Sequence, residues 1–160
     1  MIKENGEKVA VAMPWNGGIM KQYEKPYPHE QGAEPMACNV CACARKNKCF
    51  RKEFWTGCYV QMTLMSISER QDIGKEIHED TDQMIRVEEG IGLAEWGCHL
   101  ENKQRLQQGD VFFVPAGTWH NVRNIGKCPL KLSSIYAPPH HPRGTKECKK
   151  EEHKMSGYDL

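Results

Sequence analysis

The sequence predicts an all-β sandwich or barrel, and three observations carry that reading. Between residues 54 and 139, short runs rich in β-branched and aromatic residues recur, with Gly, Pro, Asp or Asn between most of them. Strands joined by tight turns have that texture, whereas βαβ units would interpose long helical patterns. The stretch Gly109-Asp-Val-Phe-Phe-Val-Pro115-Ala-Gly117-Thr-Trp-His120-Asn-Val-Arg-Asn124 reads as a strand, a tight turn and a returning strand. Its glycines permit positive φ and its proline fixes the entry to the turn. Finally, 160 residues suffice for one domain with a real core and short extensions at its ends.

In chain order, residues 1–53 read as an irregular N-terminal extension. Its lead segment, to about residue 36, mixes Gly, Pro, Met, Tyr and charge with neither helical nor strand periodicity (Met13-Pro-Trp-Asn-Gly-Gly18, then Glu24-Lys-Pro-Tyr-Pro-His29). From Cys38 to Lys52 the segment is rich in cysteine and basic residues, and its alanines support one short helix. Residues 54–139 form the barrel, with strands expected at Tyr59–Ile67, Lys75–His78, Gln83–Val87, Gly92–Cys98, Val111–Val114, His120–Arg123 and Leu130–Tyr136. Residues 140–160 form a tail with too few apolar residues to pack alone and room for a short exposed helix.

Composition excludes some functions. Twenty-two Lys and Arg against 21 Asp and Glu give a net charge of +1, which creates no field for nucleic acid or anionic membranes. No run approaches a membrane span, and Met1-Ile-Lys-Glu-Asn-Gly has no apolar signal region, so a cytoplasmic protein is expected. In that compartment most of the eight cysteines are expected to be reduced. Cys38-x2-Cys41-x-Cys43-x5-Cys49 lacks the paired Cys-x2-Cys units of a strong zinc signature. A structural zinc at Cys38, Cys41, Cys43 and Cys49 is therefore the secondary reading, and reduced thiols the preferred one. Arg45, Lys46, Lys48, Arg51 and Lys52 would lower thiol pKa values, which makes redox sensitivity and a local disulfide a further expectation.

Strand parity gives the sharpest inference. Residues two apart share a face, so Glu76 and His78 point the same way. In the next strand Gln83, Ile85 and Val87 face inward while Met84, Arg86 and Glu88 face out. An inward amide is costly without a partner, so Gln83 implies a hydrogen-bond network or a ligand. Glu76, His78, Gln83 and His120 are thus expected to converge. Gly109, Pro115 and Gly117 read as turn-making residues, Asn124 as a structural hydrogen-bonder, and Trp119 as packing that faces away from the site. His99, His140 and His141 are expected in solvent, with coverage of the barrel mouth by the latter two as the alternative.

The residues Gly109, Pro115, Gly117, His120 and Asn124 stand at the spacing of the second motif of the cupin superfamily, which the chain resembles over roughly residues 54–139. In the first motif, Glu76, His78, Gln83 and Gly90 occupy the places of histidine, histidine, glutamate and glycine, so two of its three ligand places are altered. Phe54-Trp-Thr-Gly, Met65-Ser-Ile and Tyr136-Ala-Pro-Pro resemble a bacterial single-domain subgroup whose members mostly lack an assigned activity. The resemblance implies a jelly-roll β-barrel, commonly a homodimer, with a divalent metal in its mouth. The ligands it implies are Glu76, His78, Gln83 and His120. This mixed N/O set suits Fe, Mn, Co, Ni or Zn with open positions for water or substrate, and suits calcium or Cu(I) less well. Sugar-phosphate isomerases among the cupins use a similar donor set, an analogy only, since no phosphate-binding signature is present.

Three functional classes follow. One is a metal-dependent enzyme with isomerase- or dioxygenase-like chemistry on a small polar molecule, its general base not identified by the sequence. Another is a non-catalytic protein that binds or senses a small ligand or metal, which the altered ligands favour. The third is a structural protein with a vacant barrel, whose lead segment makes the contacts.

Overall fold

A computed structural model describes residues 34–150; the expectations for the lead segment before residue 34 and for a helix beyond residue 150 lie outside the described residues. The architecture is the expected all-β jelly roll, preceded by one short helix. Helix α1 (Val40–Lys46) is followed by β1 (Arg51–Thr56), β2 (Gln61–Ile67), β3 (Asp82–Glu89), β4 (Ile91–Trp96), β5 (Asn102–Gln107), β6 (Val111–Val114), β7 (His120–Asn124), β8 (Leu130–Ala137) and β9 (Lys146–Glu147). A six-stranded sheet in the order β6-β3-β8-β2-β1-β9 faces a three-stranded sheet in the order β5-β4-β7, and all neighbours are antiparallel. No helix among the described residues is long and apolar enough to cross a membrane.

Register sorts the interior into two ends. At one end the facing residues are apolar: Met65 opposite Leu132, Leu132 opposite Val87, and Ile67 opposite Leu130. These residues join Ile73, Ile85, Ala94, Leu106, Val122 and Phe50 in one buried cluster, with Trp96 and Phe112 packed against it. At the other end the same strands carry polar side chains inward. Gln61 and Gln83 both lie opposite Tyr136, and Thr63 lies opposite Ser134. All five are buried.

Several elements differ from the sequence expectation. β5 (Asn-Lys-Gln-Arg-Leu-Gln) carries no strand signal, because it is an edge strand that buries only Leu106. The expected strand at Lys75–His78 is not one. That segment makes only an isolated bridge, in which Glu76 and His120 exchange both backbone hydrogen bonds at 3.0 Å. The inward set Gln83, Ile85 and Val87 is buried as expected, and Met84 and Arg86 are half-buried. Glu88 faces out as expected, yet it is buried as well. It shares the outer face with Arg86 and Ser133, whose side chains bond to its carboxylate at 2.7 and 2.6 Å. α1 packs over that face and excludes solvent from it.

α1 also settles the cysteine segment. Successive helical residues turn by about 100°, so Cys41 and Cys43 point to opposite sides. Cys41 Sγ lies 3.6 Å from the Glu88 carbonyl, Cys38 sits beside Cys43, and Cys49 sits beside Cys148. Cys38, Cys41, Cys43 and Cys49 therefore do not converge into the zinc site expected of them.

Candidate metal centre

The site is assembled from the loop before β3, from β3 itself and from the start of β7. Gly117 makes the β6–β7 turn in the left-handed region, φ +75°, which glycine adopts without strain. Its N–H donates to the His78 carbonyl at 2.7 Å, and the Ala116 N–H donates to Asp82 Oδ1 at 2.9 Å. The turn thus holds the His78 loop against the strand pair, while the Glu76–His120 bridge fixes the other end of that loop.

Glu76, His78 and His120 present donor atoms that all lie within 4.8 Å of one another, and among the described residues this is the one such group. Glu76 Oε1 is 3.5 Å from His78 Nε2 and 3.5 Å from His120 Nε2. Gln83 Oε1 is 2.8 Å from His120 Nε2. The four side chains that the sequence nominates therefore come together, Gln83 through His120. Burial alone would raise the Glu76 carboxyl, but hydrogen bonds from His120 and His78 when those rings carry a proton toward it, and the Arg51 guanidinium, outweigh burial and hold the group well below the usual carboxylate range.

Surrounding residues orient these four. His120 Nδ1 is 2.8 Å from the Thr118 carbonyl, which can only accept, so Nδ1 carries a proton. In the neutral ring, Nε2 is then a lone pair aimed at the centre. Gln83 Nε2 donates to the Tyr136 hydroxyl at 3.0 Å, which turns its carbonyl oxygen toward His120. Tyr136 is wholly buried, and burial followed by the Glu76 charge pushes its pKa well above the phenol range. Arg51 reaches Glu76 Oε2 at 3.5 Å and Glu147 Oε2 at 3.4 Å.

The expectation of solvent for His140 and His141 is only partly met. His140 is exposed, yet its ring lies 4.1 Å from that of His78, and His141 is half-buried against Tyr136 at 4.9 Å. Both are folded back by Gln61, whose Oε1 accepts their N–H groups at 3.2 and 2.8 Å and whose Nε2 donates to the His141 carbonyl at 2.7 Å. Burial, with the charges of Arg51 and His140, lowers His141 to about 3. His99 is exposed, as is Trp119, which lies under Lys75 and away from the site. Asn124 is the structural hydrogen-bonder expected, donating to the carbonyls of Ile67 and Cys128 at 2.9 and 2.8 Å.

Gln61, Tyr136 and Arg51 were not legible as site residues. Inward parity on β2 and β8 is the signal that marks the first two. Arg51 sits at the head of a strand whose register shifts between Glu53 and Trp55, so its direction cannot be read by alternation.

Buried polar atoms test whether these residues suit a metal ion. Glu76 Oε1 and both ring nitrogens of His78 are buried without a hydrogen-bond partner. A carbonyl oxygen and an unprotonated imidazole nitrogen at 2.8 Å, as at Gln83 and His120, repel unless a proton or cation lies between them. Two imidazoles, a carboxylate and an amide oxygen make a donor set of the N/O type, and a divalent cation fits it.

Comparison with known proteins agrees with this fold. An uncharacterized protein of Bacillus subtilis (strain 168), YrkC, is 45% identical over 119 residues, 72% of this chain and 64% of that protein, so the chain spans less than two thirds of that relative's length. An uncharacterized protein of Acanthamoeba polyphaga mimivirus, L612, is 38% identical over 113 residues, 70% of this chain and 71% of that protein. The crystal structure of BH2720 from Bacillus halodurans superposes with a TM-score of 0.70 at 48% identity, covering 71% of this chain and 89% of that one. Residues 63–146 match the cupin domain family, and the chain belongs to it.

Proposed function

We propose that this cupin holds one divalent transition-metal ion through Glu76, His78, Gln83 and His120 and uses it to bind or transform a small polar molecule. The observation that carries this reading is the group of buried, unpartnered donor atoms on Glu76 and His78, beside the facing lone pairs of Gln83 and His120. An unsatisfied buried polar group costs about 1–3 kcal/mol, and a cation relieves several such costs at once. When bound, the ion supplies Lewis acidity toward a carbonyl or anionic oxygen. Around it, Arg51 holds Glu76, Tyr136 orients Gln83, and Thr118 fixes the tautomer of His120. Isomerase-like and dioxygenase-like reactions both match such a donor set; iron or nickel favours oxygen chemistry, and zinc or manganese favours isomerisation or hydrolysis.

A non-catalytic binding or sensing role is the second reading. The His140 ring favours it, because it packs 4.1 Å from the ring of His78, one of the four donors, and so crowds that side of the centre.

Elemental analysis of anaerobically purified protein tests the site. About one divalent ion per chain is expected in the wild type and none in the His78→Ala, His120→Ala double variant. Wild-type protein without metal, or metal that survives both substitutions, overturns the reading.

A further inference from the structure

Outside the metal centre, the densest chemistry lies where the N-terminal segment meets the last strand. Cys49 and Cys148 are 99 residues apart in sequence, yet their Sγ atoms are 3.8 Å apart, and both are free thiols. The two residues are held very differently. Cys49 is clamped by Asn47, which accepts its N–H at 3.1 Å and donates to its carbonyl at 2.9 Å, and by the Ser66 N–H at 3.1 Å on the same carbonyl. Cys148 follows the two-residue β9, an edge strand that pairs only Lys146 with Lys52 and Glu147 with Arg51. A rigid thiol therefore faces one just past the shortest edge strand of the sheet, and closure needs less than about 2 Å of travel.

We propose that Cys49 and Cys148 form a redox clasp that fastens β9 to β1. The oxidant is a small-molecule disulfide of the glutathione class. One protein thiolate attacks it, forming a mixed disulfide and expelling one small thiolate. The second protein thiolate then attacks the protein sulfur of that mixed bond, forming the Cys49–Cys148 disulfide and expelling the other. Two electrons pass to the small disulfide, and the two protein protons end on the two small thiols released. The clasp has a path to the metal centre, because Glu147 contacts Arg51 and Arg51 contacts Glu76. Fastening β9 keeps the guanidinium on the carboxylate. That consequence rests on the proposed metal site, whereas the clasp itself does not.

Full-length protein is treated with oxidised or reduced glutathione, alkylated and mapped without reduction, with amide exchange followed at Lys146 and Glu147. Oxidation should join the Cys49 and Cys148 peptides at a mass two hydrogens below their sum, and slow exchange in β9 by about tenfold or more. Cys148→Ser, at an exposed position, and Cys49→Ser should each abolish both effects. Alkylation of both cysteines after oxidation, a Cys38–Cys43 link in their place, or equal β9 exchange in both redox states overturns the clasp. None of these readouts uses the ion, so failure of the metal site would leave them unchanged.

Discussion

Tyr136 offers no donor to the proposed ion, yet it sets the direction of one. Its hydroxyl is the acceptor for Gln83 Nε2, and without it the amide nitrogen loses the partner that turns its oxygen toward His120. Tyr136→Phe should destabilise the fold by about 1–2 kcal/mol, the cost of a lost buried hydrogen bond. It should also weaken ion binding by about tenfold, as loss of a group that orients a ligand does. Urea unfolding and metal titration measure the two effects, and unchanged affinity would show that Gln83 is oriented without Tyr136. At this scale the sequence is informative where side-chain direction follows from local geometry. Gln83 follows from strand parity and His120 from the Gly109–Asn124 turn. His140 and His141 escape it, because their place depends on the chain folding back after Pro138-Pro139 onto Gln61, some eighty positions earlier.

Among elements, legibility follows burial. Strands that face the core on alternate residues announce themselves, as β3 and β8 do. β5 buries one side chain and leaves the rest in water, so its six residues look like a loop. The Lys75–His78 segment shows the converse: an alternating pattern whose strand pairing is limited to the isolated bridge with His120. The short helix expected between Cys38 and Lys52 is present, and its ends explain why seven residues suffice. Asn39 caps the start, its Oδ1 accepting from the Ala42 N–H at 2.9 Å. Arg45 and Lys46 complement the dipole at the other end, and Lys131 Nζ donates to the Asn47 carbonyl beyond it. A helix this short relies on its caps and on packing. Asn39→Ala should cost about 1 kcal/mol, read as a lower urea midpoint with an unchanged slope. An unchanged midpoint would show that packing of α1 over Glu88 and Ser133 holds it without the cap.

The whole molecule divides its interior into an apolar end and a polar end. Rows of Met65, Leu132 and Val87 with Ile67 and Leu130 make one end an apolar core. The other end gathers carboxylate, imidazoles, amides and guanidinium, several of them with buried atoms that no protein group satisfies. Such an end costs stability unless something else binds there. A ligand that binds the folded chain alone stabilises it by about 2.7 kcal/mol at a hundredfold excess over its Kd, which for a domain of this size raises Tm by roughly 5–10 °C. Chelation should therefore lower Tm by about that amount, and re-addition of the native ion should restore it. The His78→Ala, His120→Ala variant should melt at the same temperature with and without chelator. If the wild type also melts identically under both conditions, no ion contributes to the folded state, and the polar end is a preformed pocket for an uncharged or organic ligand instead.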